Sequence, residues 1–211
     1  VSLANPPVPP TPLTREALGA DPIEAFRRWF REAREGHALP FPDAVCLSTV
    51  DPEGWPEGRI VLLKQVDERG FQIFTNYRSA KGRSLEASPR AALTFYWGDL
   101  SRQVRIQGSV ERVPEEESDA YFATRPRGSQ IGAWASDQSA PLEGMGVLED
   151  RARQLEERYG EGPIPRPGHW GGYLIVPRRI EFWQEGPDRL HHRYVFSREG
   201  EGGWKVVQLN P

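Results

Sequence analysis

Apolar and polar positions along this chain follow two rhythms, and each change of rhythm predicts an element. Over residues 21–35, Ile23, Phe26, Trp29, Phe30 and Ala33 recur at three- and four-residue spacing, which predicts a helix with one buried stripe. Asp21 is placed to cap it, Pro22 suits its first position, Glu24 completes a capping box and Gly36 supplies a stop. The rhythm then shortens to two. Strands are predicted over AVCLSTV (44–50), GRIVLLKQV (58–66) and FQIFTN (71–76), separated by the turn signals DPEG and DERG. A short helix, KGRSLEAS (81–88), ends at Pro89 and is followed by strands 91–97 and 102–113. In the second of these, Val104, Ile106 and Val110 share one face, and Gln103, Arg105 and Gln107 the other.

Residues 114–125 form a helix with an acidic start, as the helix dipole favours, and 145–160 an amphipathic helix closed by Gly160. WGGYLIV, RRIEFWQ, HRYVFS and WKVVQL supply the last strands. Strands do not alternate regularly with helices. The expected fold is therefore mainly β with inserted helices (α+β), a small barrel or curled sheet rather than a doubly wound parallel sheet. One domain is expected over 21–211. The prolines of VSLANPPVPPTPLT predict an extended arm over residues 1–20.

Composition removes several function classes. The net charge of -3 gives no pull toward nucleic acid or an anionic membrane, so any anion site must be a local cluster. No apolar run is long enough for a membrane span, and the first residues lack the pattern of a secretory signal. Cys46 is the single cysteine. It is read as a small core residue, and a cytoplasmic setting is expected. The four histidines have no ligand spacing, so no metal site is expected. There is no G-x-S-x-G elbow, no G-x-G-x-x-G and no phosphate-binding P-loop motif.

Cationic chemistry is unevenly distributed. Of 27 basic residues only Lys64, Lys81 and Lys205 are lysine. Period-two geometry sends Arg59 and Lys64 to opposite sides of their predicted strand unless a bulge intervenes. Both could equally be solvated strand ends. RPRGSQIGAWASDQS (125–139) crowds two arginines, two glutamines and three serines beside Trp134 and Ile131. Arg125 and Ser129 precede a possible short helix, SQIGAWA. That combination suits a phosphate, or else a simple N-cap beside a solvated arginine.

RIVLLK, FTNYRSAKGR, FYW before RQVRIQG, ESDAYFATRPRGSQIGAWASDQS, WGGY, IEFWQ and RLHHR occur in this order. In that combination, from about Asp21 to Pro211, the chain resembles the pyridoxine (pyridoxamine) 5'-phosphate oxidases. Flavin oxidases of phenazine pathways share parts of the pattern. The resemblance implies an FMN-binding split β-barrel that forms a homodimer with FMN sites at the subunit interface. It implies oxidation of pyridoxine or pyridoxamine 5'-phosphate to pyridoxal 5'-phosphate. Hydride would pass from the substrate C4' to flavin N5, and dioxygen would become hydrogen peroxide.

Residue by residue, the resemblance places Arg59, Ile60, Val61, Leu62 and Lys64 on the strand lining the flavin. Phe74, Thr75 and Lys81 match the next FMN segment, with Lys81 and Arg59 near the FMN phosphate. Gln103, Gln138, Ser139, Trp183 and Arg193 match further FMN contacts, with Gln138 and Ser139 expected to serve the partner chain's site. Lys64, Tyr121, Arg125 and Ser129 match the substrate-phosphate pocket. Arg189 and His191 match a catalytic pair over the substrate ring. Three positions depart from the family pattern. Ala80 stands where an arginine is usual, with Arg78 or Arg83 as possible substitutes. His192 replaces an acid that would partner Arg193 or His191. The proline-rich arm carries no basic or tyrosine residue before Arg15 to cover a substrate.

Overall fold

The computed structural model describes residues 11–35, 40–200 and 203–211. The chain opens with α1 (Arg15–Leu18) and α2 (Pro22–Glu35), followed by β1 (Ala44–Val50), β2 (Pro56–Leu62), β3 (Gln65–Val66) and β4 (Phe71–Asn76). Next come α3 (Ala80–Ala87), β5 (Arg90–Trp97) and β6 (Arg102–Arg112), then α4 (Glu115–Ala123), α5 (Arg127–Ala135) and α6 (Met145–Tyr159). The chain finishes with β7 (Trp170–Gln184), β8 (His192–Glu199) and β9 (Gly203–Gln208). All nine strands join one antiparallel sheet in the order β2-β1-β5-β6-β7-β4-β3, with β8 and β9 added beside β7.

The strand predicted over 58–66 is two strands. β2 and β3 stand at opposite ends of the sheet path, yet only Leu63 and Lys64 separate them. The Leu63 N–H donates to the Asp43 carbonyl on one side, and the Lys64 N–H to the Gln72 carbonyl on the other, both at 2.9 Å. The two residues thus close a curled sheet into a half-barrel, and their backbone groups stay satisfied at the seam. The reverse correction applies to WGGYLIV and RRIEFWQ, which form the single strand β7. It pairs β4 through residues 170–175 and β8 through residues 179–184. A register shift opposite Gln107 and Gly108 lets Pro177 sit in a central strand, where it donates no hydrogen bond. Gly108 is required there, because a Cβ would lie 2.1 Å from the Val176 carbonyl oxygen.

The alternation within strands holds. Val45, Leu47, Leu93, Phe95, Val104 and Ile106 face the interior. Cys46 does not: it lies on the opposite face of β1 from Val45 and Leu47 and is only partly buried, so the core reading is corrected by the two-residue period. Asp21 accepts the Ile23 N–H at 2.8 Å, as an N-cap should. The stop expected at Gly36 lies outside the described residues, as does the arm up to Pro10. From Thr11 onward the arm is part of the domain, because Leu13 and Leu18 are buried in the main core and the Thr11 carbonyl accepts from Gln184. Among the described residues no helix is long and apolar enough to cross a membrane.

Helix α2 plugs the barrel. Phe26 is fully buried, with Phe71, Phe95, Trp97 and Phe30 around it at ring-centroid distances of 4.9 to 6.0 Å. Truncation to Ala would leave a cavity that four rings cannot collapse into. Phe26→Ala is expected to lower the unfolding free energy by about 3–5 kcal/mol, measured by urea denaturation. A loss under about 1 kcal/mol would mean that α2 is peripheral to the core. A second apolar cluster, Phe122, Ile131, Ile164 and Trp170, lies under α4 and α5 and forms one wall of the site.

Candidate active site

A cleft of about 720 Å³ opens between the end of β2, β4, the start of α3 and the α4–α5 connection. Its lining includes Ile60, Val61, Leu62, Lys64, Phe74, Thr75, Lys81, Tyr121, Arg125, Ser129 and Gln138. These residues span much of the chain, and the fold gathers eleven positions that the family resemblance singled out. A notch of about 440 Å³ also lined by Lys81 holds Arg59, Glu57, Ala80 and Ser139. Lys64 and Arg59 therefore face different compartments.

One wall of the cleft is aromatic. Phe74 and Tyr121 stack at 4.0 Å, and Trp170 lies nearly parallel to both. Arg125 follows α4 and lays its guanidinium over Trp170 at 4.5 Å. Burial pulls the Arg125 pKa below the usual guanidinium value, against the opposing pull of Tyr121. Burial likewise pushes the Tyr121 phenol up, while Arg125 holds it down. The Nη1 of Arg125 is buried and has no hydrogen-bond partner among the described residues. A buried charged donor left open is costly, and an anion in the cleft would satisfy it.

Helix α5 begins at Arg127, so Ser129 lies within its first turn and is not the N-cap. Pro126 takes the cap position without a side-chain acceptor, and its carbonyl accepts from the Ser129 and Gln130 N–H groups at 2.8 and 3.1 Å, so the positive end of the helix faces the cleft without a side-chain cap. The rest of the segment is anchored as its aromatic and apolar residues require. Ile131 is buried, Trp134 donates to the Pro165 carbonyl at 2.8 Å, and Gln130 ties α5 to the Phe122 carbonyl.

At the other end of the cleft, Lys81 Nζ donates to Gln138 Oε1 at 2.9 Å and lies 3.4 Å from Thr75 Oγ1. Gln138 was expected in the partner's site, but it meets Lys81 and Thr75 of its own chain. Burial first, and the Arg59 charge second, lower the Lys81 ammonium pKa. Ser139 adds a hydroxyl from a left-handed backbone, φ 72°. Two cations, hydroxyls and the start of α3 form a donor set that suits a phosphate ester, and the stacked wall suits a planar ring. The residues fit FMN and a phosphorylated aromatic substrate on these grounds. Lys64 is held by Asp43 at 3.4 Å, a partner that sequence reading did not single out.

The remaining expected residues line neither compartment. Gln103, Trp183 and Arg193 form a cross-strand row on β6, β7 and β8, on the face turned away from the main core. His191 leans on Trp183 at 4.7 Å, and its Nδ1 accepts the Gly186 N–H at 3.3 Å. Asp188 and Arg189 both hold left-handed backbone, φ 52° and 63°. The partner that His192 was expected to deny Arg193 exists elsewhere. Glu181, 4% exposed, accepts from Arg193 Nε at 2.9 Å and Nη2 at 2.7 Å and also meets Arg105. Sequence reading missed Glu181, although an acid in the strand IEFWQ signals a cation opposite it. Arg83, one of the two arginines that could substitute at Ala80, donates Nη1 to the Arg78 carbonyl at 2.6 Å.

Comparison with known proteins agrees with this geometry. The family model described as pyridoxamine 5'-phosphate oxidase matches residues 34–159, and that of the pyridoxine 5'-phosphate oxidase C-terminal dimerisation region matches 170–211. A pyridoxine/pyridoxamine 5'-phosphate oxidase of Cupriavidus necator is 53% identical over 199 residues, covering 94% of this chain and 93% of that protein. The crystal structure of PhzG from Burkholderia lata 383, in complex with tetrahydrophenazine-1-carboxylic acid, superposes with a TM-score of 0.87. It is 30% identical and covers 94% of this chain and 98% of that one. A pyridoxamine 5'-phosphate oxidase-related, FMN-binding protein of Nostoc punctiforme, 17% identical, shares the fold with a TM-score of 0.73, covering 92% of this chain and 100% of that one. A split barrel, a cleft with phosphate-type donors at both ends and two family models over most of its length place this chain in the pyridoxine/pyridoxamine 5'-phosphate oxidase family of FMN-dependent oxidoreductases.

Proposed function

We propose that this chain oxidises pyridoxine 5'-phosphate or pyridoxamine 5'-phosphate to pyridoxal 5'-phosphate, with dioxygen as final acceptor and hydrogen peroxide as by-product. The observation that carries this reading is Arg125. Its open buried donor, beside Tyr121 and Ser129, asks for an anionic group on the substrate. When bound, FMN supplies the two-electron chemistry that no side chain here offers. Arg59, Lys81 and Ser139 would hold its phosphate. Ile60, Val61, Leu62, Phe74, Thr75 and Gln138 would line its ring system. Lys64, Tyr121, Arg125 and Ser129 would fix the substrate phosphate, which sets the substrate ring against the flavin.

The chain acts in this reading as a homodimer whose copies complete each other's sites. Support comes from the division within one chain: Gln103, Trp183, Arg193, Arg189 and His191 lie outside both compartments. A second copy bringing that row to the cleft would supply Arg189 and His191 over the substrate ring. His191 accepts at Nδ1, so its neutral form presents an Nε2–H donor. A cytoplasmic setting fits the single cysteine.

The likeness to PhzG favours a second reading, a flavin oxidase acting on an aromatic acid without phosphate. The two separate in an anaerobic titration of the FMN-loaded protein. Pyridoxine 5'-phosphate or pyridoxamine 5'-phosphate should bleach the flavin absorbance, and air should restore it with pyridoxal 5'-phosphate formed. Flavin that stays oxidised with both substrates would overturn the first reading. Ala80 bears on cofactor retention, since it lines the notch with Arg59 and Lys81. Ala80→Arg is expected to lower the FMN Kd by about 3- to 10-fold; an unchanged Kd in a fluorescence titration would show that the position does not reach the phosphate.

A further inference from the structure

Glu57 is the residue in the notch that the reading above leaves without a task. It shares a face of β2 with Arg59, two residues on, and both line the notch with Ala80, Lys81 and Ser139. Arg59 Nη2 donates to Glu57 Oε2 at 2.7 Å. Its Nη1 donates to Thr49 Oγ1 at 2.6 Å and lies 3.3 Å from the Leu47 carbonyl oxygen. The guanidinium is thus pinned from two sides, and its one carboxylate partner among the described residues sits inside the compartment that offers donors to an anion.

We propose that Glu57 is an internal counter-ion that competes with a phosphate ester for Arg59 and so sets how tightly this chain holds phosphorylated flavin; the inference rests on the FMN reading above. Two cations, Arg59 and Lys81, and one carboxylate leave the notch with one formal positive charge. A phosphate monoester carries about -1.5 to -2 near neutral pH. An anion entering the notch draws Arg59 donors away from Glu57 and must sit near a like charge. Both effects weaken binding, and both depend on the ester charge rather than on the ring. Thr49 and the Leu47 carbonyl keep Arg59 in place when Glu57 is relinquished, so the pair is not needed to position the guanidinium. Glu57 is partly exposed, on the face of β2 that lines the notch and outside the buried core, so its charge can be removed without disturbing the core.

The test titrates the full-length apoprotein and its Glu57→Gln variant with FMN and with riboflavin, following flavin fluorescence. Glutamine keeps an acceptor for Arg59 and removes only the charge. The variant is expected to bind FMN about 5- to 20-fold more tightly at low salt, with the gain shrinking at high salt, where charge is screened. Riboflavin, which has no phosphate, should bind both proteins equally. FMN bound equally or more weakly by the variant would overturn the proposal and make Glu57 a support for Arg59. Equal tightening of riboflavin would also overturn it, since the effect would then lie in the ring site. Wild-type protein that binds neither flavin would instead bring down the FMN reading, and this inference with it.

Discussion

Replacing Arg125 with methionine is expected to raise KM for pyridoxine 5'-phosphate by about 10- to 150-fold, the loss of charge-assisted hydrogen bonds contributing ~1.5–3 kcal/mol. The FMN Kd should stay within about 2-fold, because FMN phosphate binding is assigned to Arg59 and Lys81, which line the notch that Arg125 does not reach. Stability should move the other way from function. Arg125 Nη1 is buried without a partner among the described residues, and burial lowers the guanidinium pKa, so its charge is held at a cost in the free protein. Methionine keeps the contact with Trp170 and drops that cost. The Tm of the apoprotein is expected to hold or rise. Steady-state kinetics, flavin titration and a thermal melt on one preparation give all three numbers. An unchanged KM, or an FMN Kd that rises in parallel, would sink the assignment of Arg125 to the substrate phosphate.

Arg189→Gln is expected to cost about 10²–10³ in kcat/KM, the scale seen when one donor to a reacting centre is removed, with the FMN Kd within about 3-fold. The local backbone supports a specialised role. Asp188 and Arg189 occupy left-handed backbone that side-chain-bearing residues avoid, at about 1–3 kcal/mol each. Gly186 closes the loop, since a Cβ there would sit 2.0 Å from the Leu190 carbonyl oxygen. The Leu190 and His191 N–H groups bond back to Pro187 and Arg189 at 2.9 Å, which holds the strained turn in place. Strain kept at two adjacent residues beside His191 is the pattern expected where a loop must present a side chain in one orientation. Losses of equal size in turnover and in FMN binding would show that Arg189 supports the fold of the cofactor site, not the substrate ring.

Much of the candidate site was legible in the sequence because its residues sit on elements whose rhythm is strong. Thr75 and Phe74 lie on a strand bounded by turn signals, and Arg125 and Tyr121 flank a helix end. Motif order then tied these stretches together. What stayed hidden were partners across the fold. Glu181 and Arg193 are neighbours through strand pairing, and Lys64 meets Asp43 across the barrel seam. The arm from Thr11 to Leu18 reads as extended from its prolines, yet burial of Leu13 and Leu18 overrides that local preference.

By itself the sequence determined the rhythm of most strands and helices, which faces carry apolar residues, and which family pattern the polar residues follow. These properties depend on spacing within a dozen residues, where backbone geometry leaves few choices. The tertiary structure alone decided where the sheet closes, that β7 is one strand serving two neighbours, and that Gln138 meets Lys81 of its own chain across 57 residues. It also decided that the expected site residues divide into two groups within one chain. Contacts of that kind follow from how the sheet curls and what its core buries, a balance summed over the whole domain and not encoded in any one stretch.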